Sequence, residues 1–107
     1  MGLDSENKVL ARFKEQVERR FPQSRLVLFG SRARHDAEPE SDMDVLVIIH
    51  GPVGAEERAY VSECAWEAGF EEGIVVVPIT VSHEEWETGP LSSSLLALAV
   101  LKEGVAL

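Results

Sequence analysis

Two aspartates, Asp42 and Asp44, stand one residue apart at the head of an apolar run, in the stretch FGSRARHDAEPESDMDVLVII over residues 29–49. In a β-strand, residues i and i+2 share a face, with α-carbons roughly 6.5–7 Å apart. Carboxylates so placed repel, and one takes up a proton more readily, unless a cation lies between them. Mg²⁺ suits the position, because it accepts one or two protein carboxylates and completes its octahedron with water and substrate phosphates. A bare Asp-x-Asp is equally what a loop cap at Ser41–Asp42 and a solvated Asp44 would look like. The residues ahead of the pair shift that balance. Gly30-Ser31 ends a β-rich run and feeds a possible helical turn over 31–35, which would expose backbone N–H groups as an anion site. The Ser31 hydroxyl can add a hydrogen bond, and Arg32 or Arg34 can supply charge to phosphate oxygens. Together the two stretches form both halves of a phosphate–metal clamp.

The elements that must position these groups follow from periodicity. Residues 4–20 predict a helix, with Val9, Phe13, Val17 and Phe21 at four-residue spacing and Leu10 beside them. Asp4 or Ser5 can cap it, and Phe21-Pro22 ends it. Residues 25–29 predict a strand that is apolar on both faces, hence central. Residues 36–41 are a loop, and 42–50 a second strand. Residues 55–70 predict a helix with Val61, Cys64, Ala65 and Ala68 on one stripe and Trp66 off it. A third strand is expected over 74–81, with Pro78 marking a sheet edge. Ser82-His83-Glu84-Glu85 reads as a capping box opening a short helix, and 91–103 predict a last helix stopped by Gly104. The order predicts an α+β domain, an α/β sandwich with a small mixed sheet, occupying residues 1–107 as one unit.

Composition narrows the function. The net charge is −9, which argues against general nucleic-acid binding. The charge is uneven: residues 1–34 hold eight basic and four acidic side chains, and the remainder two and fifteen. The Gly-Ser segment thus belongs to the basic region and the aspartates begin the acidic one, as solvated faces or as an anion site beside a cation site. The single cysteine, Cys64, excludes a disulfide framework and a cysteine zinc site. No apolar run could span a membrane and residues 1–20 lack the apolar core of a signal peptide, so a cytoplasmic location is expected.

Gly30-Ser31-Arg32-Ala33-Arg34 followed by Ser41-Asp42-Met43-Asp44 resembles the signature of the nucleotidyltransferase superfamily that includes DNA polymerase β, and most of all its minimal nucleotidyltransferases. The resemblance is sharp over residues 26–49 and looser over the rest. It implies a nucleotidyltransferase-like fold and transfer of a nucleoside monophosphate, AMP from ATP, with one or two Mg²⁺ ions. Asp42 and Asp44 would be the catalytic metal ligands. Gly30, Ser31, Arg32, Arg34 and Ser41 would bind the nucleotide phosphates. It also implies a HEPN-type helical partner in a toxin–antitoxin pair, which would be the acceptor, modified on a tyrosine. Two departures bear on activity. The family has a third carboxylate on the neighbouring strand, whereas residues 74–81 contain none, with Glu71 and Glu72 only ahead of it. His35 stands where members commonly have glycine. The alternative is a catalytically weak antitoxin of the same fold that acts by binding. An apolar patch within residues 90–107 would mark the partner surface, with core packing as the other use for those side chains.

Overall fold

The structure, a computed structural model, describes residues 2–30 and 42–107. Helix α1 runs Gly2–Arg20 and precedes strand β1, Arg25–Phe29. Strand β2 (Met43–Ile49), helix α2 (Ala55–Phe70), strand β3 (Val76–Ser82) and helix α3 (His83–Glu87) follow. A 3-10 turn over Pro90–Ser93, helix α4 (Leu95–Glu103) and a two-residue strand β4 (Val105–Ala106) complete the fold. The α+β reading holds, and the sheet is mixed, in the order β3-β2-β1-β4. β1 pairs antiparallel with β2 and with β4, while β2 and β3 are parallel.

Alternation along the central strands creates two cores. Leu26, Leu28, Met43, Val45, Val47 and Ile49 face α1 and α2, where Val9, Phe13, Val17, Val61, Cys64 and Ala68 are buried against them. Val27, Phe29, Leu46 and Ile48 face the other way, with Val81 of β3 and Val100 of α4, and with Trp86 and Leu96 at the margin. β1 and β2 are therefore covered on both sides, as their unbroken apolar runs require. Tyr60 ties the two large helices together by donating its hydroxyl to the Gln16 carbonyl at 2.6 Å.

Local signals explain most boundaries. Phe21 N–H still donates to the Val17 carbonyl, and Pro22 follows. The Ser82 hydroxyl accepts from Glu85 N–H at 3.0 Å and Ser82 N–H donates to Glu85 Oε1, so the capping box closes as expected. Pro78 sits on β3, which among the described residues pairs only with β2 and so has an edge where a missing N–H is harmless. Two expectations fail. α1 begins at Gly2, so Asp4 and Ser5 lie inside the helix rather than capping it. The last helix is two elements, because the Ser94 hydroxyl caps α4 by accepting from Ala97 N–H. Beyond it the chain returns to the sheet: β4 pairs with β1, and Leu107 N–H donates to the Leu26 carbonyl.

Phe13 is wholly buried at the contact of α1 with the sheet. Phe13→Ala is expected to remove about 3–5 kcal/mol of stability, read as a loss of roughly 15 °C or more in Tm by circular dichroism.

Candidate active site

The register of the central hairpin sets the site. Phe29, the last residue of β1, lies opposite Asp44. Paired residues share a face, so Asp44 belongs with Leu46 and Ile48 on the side covered by α3 and α4. Asp42, two residues earlier, continues that alternation beyond the strand. Gly30 turns away at φ 81°, a conformation that favours glycine. A β-carbon there would stand 2.6 Å from Asp44 Oδ2, so the chain passes against the carboxylate only because no side chain intervenes. The turn and the aspartate thus share one side of the sheet. Ser31, Arg32, Arg34, His35 and Ser41 lie outside the described residues.

Asp42 is exposed and Asp44 is half-buried. Burial first, and the Asp42 charge second, hold the Asp44 carboxyl above its ordinary pKa. A cation between the two would offset both causes. Oxygen donors from two aspartates suit Mg²⁺, which draws its other ligands from water and phosphate. Among the described residues no three acidic, histidine or cysteine side chains converge on a metal position by themselves. The donor set fits a metal shared with a substrate rather than a closed structural site.

The third carboxylate is absent from its expected strand. Val77 of β3 pairs directly with Asp44, and its neighbours across the register are Val76 and Pro78. Glu71 and Glu72 lie at the end of α2, within 3.8 and 3.6 Å of Arg12 on α1. Those helices cover the opposite face of the sheet, so neither glutamate joins the aspartates. An acid that the sequence did not flag does approach: Gly30 N–H donates to Glu103 Oε2, from the end of α4, at 3.2 Å.

The remaining candidates sort cleanly. Cys64 is buried and unbridged, and burial raises its thiol pKa. His50 and His83, unconnected in the sequence, stack at 4.5 Å between ring centroids. Arg12, Arg19, Arg20 and Arg25 are all ion-paired with glutamates, so these four do not form a phosphate patch. Trp66 is exposed and packs on Phe70. On α4 the buried residues are Ala97 and Val100, whereas Leu95 and Leu101 are 84% and 79% exposed with Leu98 between them. Of the two uses the sequence left open for the apolar residues of 90–107, these three leucines take the surface one.

The family model of the nucleotidyltransferase domain matches residues 10–102. The chain belongs to the nucleotidyltransferase family. No curated protein matches it. Among solved structures, a toxin–antitoxin structure with AMP-PNP shares 20% identity, with 94% of this chain and 70% of that chain covered at a TM-score of 0.60. A complex of a tri-AMPylated Shewanella oneidensis HEPN toxin with its MNT antitoxin shares 19%, covering 99% and 71%, at 0.55. A putative nucleotidyltransferase from Sulfolobus solfataricus shares 22%, covering 95% and 84%, at 0.52. These likenesses establish the nucleotidyltransferase-like fold.

The state of Asp44 makes a pH-dependent prediction. Its folded-state pKa is raised, so the stability it contributes is full below the unfolded value and falls as pH rises through the folded value. Ionised Asp44 is thus a liability to the metal-free fold at neutral pH. In chelator at pH 7, Asp44→Asn is expected to raise Tm by about 2–4 °C, a small effect because the group is substantially solvated. The gain should shrink below about pH 4, and a gain independent of pH would contradict it.

Proposed function

We propose that this nucleotidyltransferase transfers AMP from ATP, with Mg²⁺, to a HEPN-type partner protein. One observation carries the reading: the Gly30 backbone passes against the Asp44 carboxylate, so a phosphate held at the turn meets the pair of acids directly. Gly30 and Ser31, with Arg32, Arg34 and Ser41, are the proposed phosphate partners. Asp42 and Asp44 are the proposed metal ligands. Bound Mg²⁺ would supply charge neutralisation on the triphosphate. The protein's share is orientation: the turn would hold the outer phosphates, and Asp42 and Asp44 would hold the Mg²⁺-bound nucleotide beside it. An acceptor hydroxyl then forms the new P–O bond in line, the bond from the α-phosphorus to the bridging oxygen breaks, and pyrophosphate leaves. The hydroxyl proton passes to solvent or a phosphate oxygen, because Val77 offers no base at the position paired with Asp44. The AMPylated HEPN toxin among the structural neighbours supports this acceptor class.

A second reading has its own observation. Val77 opposite Asp44 and the exposed leucines of α4 suit an antitoxin that acts by docking, with little turnover. Incubation with Mg²⁺, adenine-labelled ATP and the candidate HEPN-type partner separates the two. Label on the partner, abolished by chelator and reduced at least about 100-fold in the Asp42→Asn, Asp44→Asn double variant, is expected for the enzyme. Undiminished labelling by that variant would refute the metal role, and a stable complex without label would favour docking.

A further inference from the structure

Strand β3 forms one edge of the described sheet, and its outward main-chain groups are unequally closed. In a parallel ladder, successive residues direct their N–H and C=O groups to alternate sides. The Val75 carbonyl accepts from Met43 N–H at 2.9 Å, so Val75 and Val77 bond β2 while Val76, Pro78, Thr80 and Ser82 turn outward. Past Pro78 the edge is closed. Arg58 of α2 donates to the Thr80 carbonyl at 2.9 Å, and Ser82 N–H donates to Glu85 Oε1. Pro78 itself has no N–H. Open among the described residues are the N–H and C=O of Val76 and the carbonyl of Pro78. They lie at the end of β3 beside Asp44, which pairs with Val77.

An apolar slot adjoins that open stretch. Trp66 and Phe70, one turn apart on α2, pack with ring centroids 4.7 Å apart. They and Val75 are 64%, 65% and 59% exposed, so three large apolar side chains face outward together. Gly69 and Gly73 add no side chains between the rings and Ile74, which leaves a slot of about 310 Å³. That is room for one large side chain and small for a free ligand. The rim is acidic. Glu71 and Glu72 share one arginine, Arg12, and the exposed Asp42 precedes the residue bonded to Val75. Helix α2 itself carries Glu56, Glu57, Glu63 and Glu67 against Arg58 alone.

We propose that this edge receives an extended, basic segment of a partner protein, which adds to β3 at Val76 and seats one large apolar side chain in the Trp66–Phe70 slot. Unpaired main-chain groups on a strand edge are matched by another strand. The slot calls for an apolar anchor, and the rim for lysine or arginine beside it. Closure beyond Pro78 keeps the added strand short and shields the rest of the edge from open-ended pairing. The proposal is independent of the nucleotide reading above.

The experiment selects random peptides of about twelve residues, displayed on phage, against the immobilised full chain at low salt. The selected peptides are then synthesised and titrated by fluorescence anisotropy against wild type, Trp66→Ala, Phe70→Ala and Leu98→Glu, with circular dichroism as the folding check. They are expected to carry an aromatic or large aliphatic residue among lysines or arginines. Trp66→Ala and Phe70→Ala should each weaken binding roughly tenfold, and Leu98→Glu on α4 should leave it unchanged. Affinity should fall as salt rises from about 0.05 to 0.5 M. Methylating the peptide's backbone nitrogens one at a time should weaken binding roughly fivefold at two positions, two residues apart, whose amides meet the Val76 and Pro78 carbonyls. A helical peptide, or one bound by side chains alone, would not show that spacing. Selection of no peptide, of acidic peptides, or of peptides sensitive to Leu98→Glu but not to Trp66→Ala would overturn the proposal.

Discussion

The antiparallel register of β1 against β2 is the constraint on which the rest depends. Pairing Phe29 with Asp44 brings Gly30 beside the carboxylate and fixes which face the acids share. That register is enforced by burial. A slip of one residue would carry Val45, Val47 and Ile49 out of the core under α1 and α2 and send Asp44 into it. Each such side chain contributes about 1.5–3 kcal/mol by burial. Holding two carboxylates near each other at a half-buried position opposes folding by far less. The core therefore dictates the site, and the like charges are tolerated because burial of β2 holds the stretch of chain that carries both of them.

Helix α4 depends on the same frame. Nine residues are too few for a stable isolated helix. Its order comes from the Ser94 cap, from Val100 packed with Val27 and Phe29 of β1, and from β4 tying the chain to the sheet edge. Ala97 and Val100 are buried with Leu96 at the margin, while Leu95, Leu98 and Leu101 face outward. The small inner face brings the backbone close to β1, which is why a glutamate at the end of the helix reaches the turn. The outer leucines are left to another surface.

Much of this was legible in the sequence, for identifiable reasons. β1 and α2 fall at the expected residues because Gly30, Gly54 and a regular apolar stripe mark them. Pro78 announced an edge, and Ser82 with Glu85 announced a helix start. The parity of Asp42 and Asp44 followed from strand geometry alone. What escaped was non-local. Glu103 is 73 residues from Gly30 and carries no motif. The β4 pairing rests on two residues, too few for a periodicity. The His50–His83 stack arises from the parallel pairing of Ile49 with Ser82, which no spacing reveals. The leucines of α4 were ambiguous because composition cannot tell an inward from an outward stripe when the helix is short.

Electrostatics constrain how any nucleotide must arrive. The chain carries −9 overall, and a nucleoside triphosphate is itself a polyanion. Four arginines of the basic N-terminal stretch are engaged with glutamates: Arg12 with Glu71 and Glu72, Arg19 with Glu15, Arg20 with Glu57, and Arg25 with Glu87. Exposed pairs of this kind add little stability, yet they neutralise the local field. The described edge of the site carries the carboxylates of Asp42 and Asp44. Bare phosphates would be repelled from it, whereas on the proposed reading a phosphate that brings a divalent cation would turn the two aspartates from repulsive neighbours into ligands. Under that proposal discrimination lies between the free and the metal-bound nucleotide, and the acids that make the first unwelcome are the ones proposed to hold the second.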